Sequence, residues 1–136
     1  MISKKLLFSF ILSFIMVQAA QEEGQIFSLI QEGDPFQLKQ YLENSLWRIN
    51  IEEFSNRLRM TPLQQAVSLY NINFRRPTAN NFDTIARILL FFGANPDYRH
   101  EGWMKSARSI NPNLIAQAEE DFLAAQILAQ QMIDQE

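Results

Sequence analysis

His100 is the one histidine in a 136-residue chain that has no cysteine. It stands near Asp97 and Glu101. A histidine beside two carboxylates is the raw material of an acid–base pair or a weak divalent-cation site. On a turn, however, those groups lack the rigid cage a cation needs, so His100 reads as an exposed turn residue. The adjacent acids Glu22–Glu23, Glu52–Glu53 and Glu119–Glu120–Asp121 come next. A general acid and base must oppose each other across a cleft, in environments that drive their pKa values apart. Helical neighbours point about 100° apart, so these runs read as solvated faces. Missing cysteine removes disulfides, thiolate metal ligands and a thiol nucleophile together. Gly24, Gly33, Gly93 and Gly102 are isolated, and none belongs to a phosphate-binding glycine run. There is no G-x-S-x-G elbow. No catalytic residue, cofactor or metal is expected, and the chain is not expected to be an enzyme.

The residue types left are those of recognition. The chain has 12 Lys+Arg against 15 Asp+Glu, a net charge of −3, which argues against a nucleic-acid binder. The charge is uneven. Gln21–Asn56 holds seven acids and two bases, Arg57–Arg108 eight bases and three acids, and Ser109 onward five acids and no base. A basic middle between acidic ends points to a protein partner, an acidic one fitting best. The same asymmetry also fits an acidic final helix lying on the basic region. The candidate partner-binding residues are Arg57, Arg59, Arg75, Arg76 and Arg99, with Trp47 and Trp103 in loops. Arginine and tryptophan are the side chains that dominate binding hot spots. Each Trp has a second reading, as cover for the edge of a small core.

The elements that must carry these residues are helices. Apolar residues are 47% of the chain and charged ones 20%, enough to build one core. Residues 1–20 have the order of a secretory signal: Lys4 and Lys5, an uncharged run from Leu6 to Val17, then Ala19 and Ala20. The run is too short to span a bilayer, so cleavage after Ala19 or Ala20 is expected and no stable membrane anchor remains. Ile26, Phe27, Leu29 and Ile30 have helical spacing, and Gly33 breaks the run. Asp34-Pro35 starts a helix with Leu38, Tyr41 and Leu42 on its face. Ser45–Arg59 reads as an extended loop or hairpin. Thr61-Pro62-Leu63-Gln64 is a second helix start. Asn71–Asn81 reads as a loop in which Phe74 is either exposed or a plug in the core. A helix then runs from about Phe82, with Asp83 in its first turn, to a stop at Gly93. A short helical piece is expected over Lys105–Ile110. Asn111-Pro112 opens the last helix, with Leu114, Ala118, Phe122, Ala125, Ala129 and Met132 on one face.

Two of these segments carry a repeat signature. Thr61-Pro62-Leu63-Gln64-Gln65-Ala66 is similar to the T-P-L-H-x-A opening of an ankyrin repeat, with Gln64 in the histidine's place. Leu89-Leu90-Phe91-Phe92-Gly93-Ala94 is similar to its L-L-x-x-G-A close. Gly33, Leu38, Tyr41 and Leu42 keep the same offsets in a fainter earlier copy, with Leu42 answering to Leu90. The next opening slot falls at Lys105-Ser106-Ala107, which matches T-P-L poorly, although Gly102 is near its expected place. The resemblance implies an all-α fold: a short ankyrin-like helix-pair stack with an inserted loop and a C-terminal capping helix. The domains expected are a signal peptide over 1–20, repeats over 21–110 and an acidic helix over 111–136. With the leader over 1–20, the function it implies is that of an exported module, periplasmic or secreted, of a bacterium that lives with eukaryotic hosts, which binds another protein through its loops and inner helices. The alternative is a small envelope protein that self-associates through its final helix.

Overall fold

The computed structural model describes residues 24–45, 49–101 and 105–135. The leader expected over 1–20, and Trp47, Gly102 and Trp103, lie outside them. Residues 24–32 form α1, followed by α2 (Pro35–Ser45), α3 (Pro62–Ile72), α4 (Ala79–Phe91), α5 (Ala107–Ile110) and α6 (Pro112–Asp134). The fold is all-α. Among the described residues its one β-type pairing is an antiparallel bridge between Ser55 and Met60, which closes the hairpin-like turn after α2.

The helix starts follow from local chemistry. Asp34 Oδ1 accepts the backbone N–H groups of Phe36 and Gln37 at 3.1 and 3.2 Å, and Pro35 occupies the first position of α2. Thr61 and Gln64 form a complete capping box on α3. Ser106 accepts from Ser109 N–H at α5, and Asn111 from Leu114 N–H at α6.

The helices come in pairs, α1/α2, α3/α4 and α5/α6. Contacts run from α2 to α4 and from α3 to α5. Gln65 on α3 bonds Phe27 O on α1, and Arg87 on α4 bonds Asp121 on α6. First helices therefore follow one another in one layer and second helices in the other. The core lies between the layers. Ile30, Leu38, Leu42, Val67, Ile85, Leu89 and Ile115 are all fully buried there. By burial, Leu38 and Leu42 correspond to Ile85 and Leu89, one residue off the register in which Leu42 answers to Leu90. Gly33 turns the chain between α1 and α2 at φ +73°, and the Phe82 ring stands 3.3 Å from where a Cβ would be. Both the backbone and the ring require glycine there.

The α3–α4 connection differs from the sequence expectation. α3 runs on to Ile72 and α4 starts at Ala79, so only residues 73–78 form a loop. Asn80 and Asn81 are poor helix formers, but burial of Ala79 and Phe82 outweighs them. Asp83 is consequently one turn inside the helix, where it accepts from Arg87 Nε at 2.9 Å. Phe74 is 63% exposed and meets Tyr70 edge-on, so it does not plug the core. Replacing Phe74–Pro77 by a Gly/Ser linker is expected to leave the thermal unfolding midpoint within a few degrees, as read by circular dichroism.

The last helix docks over only half its length. Leu114, Ile115 and Ala118 are buried and Phe122 is half-buried against Phe91. Ala125, Ala129 and Met132, expected on the same docked face, are exposed. The reason is reach: α6 has 23 residues and α4, which it follows, has 13.

Candidate functional site

Gln64 joins the second helix pair to the third. Its Oε1 accepts Thr61 N–H at 2.9 Å, while Nε2 donates to Tyr98 O at 3.3 Å and Lys105 O at 3.0 Å. The side chain is 1% exposed, yet each of its groups is bonded. Only a side chain with one acceptor and two donors can do this at one position. Gln65 reaches the other way: Nε2 donates to Phe27 O at 3.1 Å. Its Oε1 is buried without a partner among the described residues. Sequence reasoning named Gln64 as a cap and missed the bonds of both residues to the neighbouring pairs. The available signal was two adjacent amides inside an apolar helix start. Gln64→Leu is expected to lower stability by about 1–3 kcal/mol, since it orphans buried carbonyls. Gln64→His should recover part of that loss in urea denaturation, because an imidazole can still donate to one of the two carbonyls.

These bonds set the loop tips side by side. The Phe54 and His100 rings stack at 4.0 Å and 11°, and Glu52 Oε1 accepts Asn95 N–H at 2.5 Å. Burial pushes the Glu52 carboxyl up, against the lowering effect of that hydrogen bond. His100 is half-buried in the stack, and so is not the free turn residue its neighbours suggested. Among the described residues no group of three His, Asp or Glu could hold a metal ion.

The structure divides the sequence candidates between two ends. Arg57 and Arg59 are exposed on the tight turn of residues 55–60. Arg59 has φ +61°, and its N–H donates to Ser55 O at 2.6 Å. Arg99 is exposed on the adjoining loop, next to the Phe54–His100 stack. All three are thus at the N-terminal end of α3. Arg75 and Arg76 lie beyond its other end, with 11 residues of helix between, a rise of roughly 16 Å. They are not part of the same patch. Trp47 and Trp103 fall outside the described residues. Beside Arg57 is a cleft of about 570 Å³ between α1, the 55–60 turn and α3, lined also by Phe27, Gln31, Glu32, Leu58 and Gln65. This volume is within the range of ligand pockets, and its mixed lining suits a side chain with apolar and polar parts.

The intramolecular reading of the charge asymmetry is realised for two other cations. Arg108 bonds Asp97 at 2.8 Å and Glu119 at 2.5 Å, and Arg87 bonds Asp121 at 2.6 Å. The acids of α6 thus take up Arg87 and Arg108. The hydrogen bonds from Arg108 hold Asp97 and Glu119 below the usual carboxylate range, and those from Arg87 and Gln117 do the same for Asp121. A carboxylate with a depressed folded pKa adds stability that is present above its unfolded pKa and lost as pH falls through the folded one. Glu52 acts in the opposite sense. The unfolding midpoint is therefore expected to hold from neutrality to about pH 5 and to drop below it. Arg108→Gln should start lower and fall less steeply in a pH series of thermal melts, and salt should narrow the difference.

The chain matches no known protein-family description, no curated protein and no solved structure.

Proposed function

We propose that this protein is an exported, non-enzymatic interaction module of ankyrin type, which binds an acidic surface of another protein at its loop tips. The observation that carries the reading is the juxtaposition of the 49–60 and 95–101 loops, tied by the Phe54–His100 stack and the Glu52–Asn95 bond. Their exposed arginines Arg57, Arg59 and Arg99 project from a frame held by Gln64. Rigid units with loops that vary independently of the core are the means by which helix-pair stacks recognise partners. A surface loop rich in arginine suits carboxylates, which the guanidinium fork engages bidentately. The order of residues 1–20, with a basic start, an apolar run and small residues, supports export to the periplasm or beyond.

The test is capture from periplasmic extract and from host-cell lysate with the tagged chain, beside a variant carrying Arg57→Glu, Arg59→Glu and Arg99→Glu. A protein retained by the first and lost by the second, with circular dichroism unchanged, supports the reading. Equal retention by both sinks it. Mass spectrometry of the native protein should find the N-terminus at Ala20 or Gln21, and an intact Met1 in the membrane fraction would remove export from the proposal.

A further inference from the structure

The outer half of α6 carries Leu123, Ile127, Leu128, Met132 and Ile133, each more than half exposed. From Phe122 to Gln135 the single charge is Asp134. At 3.6 residues per turn, Leu123, Ile127, Leu128 and Met132 fall within one half of the helix circumference, with Ala124 among them. Each copy shows on the order of 500 Å² of apolar surface on this segment, the upper end of what a soluble monomer exposes in one patch. Such a face asks for an occupant.

We infer that the occupant is a second copy of this chain, α6 against α6, in an antiparallel two-fold pair. This is independent of the loop-tip reading above. The projecting half-helix is a ridge and not a groove, and a ridge finds its complement on another helix of like pattern. From Phe122 to Ile133 it carries no charge, which leaves nothing for a charged partner to read and lets its own copy dock along the stripe without like-charge repulsion. Area gives the same answer. A specific interface removes about 1,000 Å² or more in total, and with about 500 Å² on this side the partner must bring as much apolar surface again. The same segment of a second copy does so by symmetry.

The orientation follows from the ends of the stripe. Placing the two-fold axis between Ile127 and Leu128 sets Leu123 against Met132 of the second copy, Glu120 against its Gln135, and Asp134 against its Asp121, whose charge Arg87 already pairs. A parallel pair would instead set Glu120 on Glu120 and Asp134 on Asp134, with the helix dipoles aligned. It would also crowd the two folded bodies at one end.

Sedimentation equilibrium of the purified protein at micromolar concentration tests the pair, together with Ile127→Glu and Leu128→Glu. Both positions are exposed, so the variants should keep their helix content by circular dichroism. The expected result is twice the chain mass for the parent and the single mass for both variants. Orientation is read by oxidation of single-cysteine variants in this cysteine-free chain. A disulfide needs Cα atoms about 4.4–6.8 Å apart. Leu128→Cys, beside the axis, should give a covalent dimer. Leu123→Cys should not, because the two copies of that residue stand roughly 13 Å apart along the axis. A single mass for the parent, a doubled mass that survives both Glu substitutions, or equal cross-linking at the two cysteines overturns the inference. Co-sedimentation with phosphatidylcholine vesicles that is lost in the Glu variants overturns it too, since a lipid surface would then be the occupant.

Discussion

Leu89→Ala should cost about 2–5 kcal/mol of unfolding free energy, the range for truncating a buried leucine into a residual cavity. Leu89 is 0% exposed and belongs to the cluster that includes Leu38, Leu42, Val67 and Ile85. Its carbonyl also accepts the N–H of Ala94 at 3.0 Å, where the chain leaves α4 through Gly93. The side chain thus sits where two helix pairs meet and where the backbone turns, so the site has little freedom to collapse. Domains of this size are stable by roughly 5–15 kcal/mol, which makes the loss a large fraction of the total. The thermal midpoint should fall by about ten degrees or more. Urea denaturation should show a lower midpoint with an unchanged slope, the mark of a stability change alone. Leu90→Ala, at a half-buried neighbour, should cost markedly less. The pair of values reads the register directly: equal losses would mean that α4 is rotated from the arrangement described.

That one-residue question shows what the sequence could and could not convey. Thr61, Pro62 and Gln64 were legible because a capping box is local chemistry, complete within four residues. Asp34-Pro35 and Gly93 were legible for the same reason. The start of α4 was not, because propensity weighs Asn80 and Asn81 where they stand, while Phe82 is buried against the distant turn at Gly33 between α1 and α2. The links made by Gln64 and Gln65 span 34 to 41 residues, and no spacing rule announces such partners. The charge blocks foretold that acids of the last helix would meet bases of the middle. Which bases they meet depends on the crossing of α6 over α4 and α5, so Arg87 was not foreseen. Among the recognition candidates, the sequence supplied the arginines. Only the fold separates Arg57, Arg59 and Arg99 from Arg75 and Arg76. Periodicity likewise gave α6 an apolar face, but a face says nothing about how far its neighbour extends.

The reach of that neighbour makes the sharpest contrast between two truncations. Ending the chain after Ile110 removes Leu114, Ile115 and Ala118 from the core and leaves α5, four residues long, without the helix it packs on. It also strips Arg108 of Glu119 and Arg87 of Asp121, though exposed pairs of this kind contribute little. The apolar loss decides the outcome. Leu114 and Ile115 alone are worth about 1.5–3 kcal/mol each on full burial, and the part of the core cluster they cover becomes exposed as well. A helix-pair stack needs about three units or a cap, and two pairs with one short helix fall below that. The chain ending at Ile110 is therefore expected to lose its cooperative transition and its slow amide exchange. A chain ending at Phe122 keeps every buried residue of α6 and both ion pairs. It should melt as one cooperative unit within a few degrees of the full chain. If both truncations unfold, the exposed half of α6 is part of the folding unit, and residues that stand in solvent within one copy must be covered in the folded protein. If neither unfolds, the first two helix pairs form a complete domain and α6 is an appendage to it.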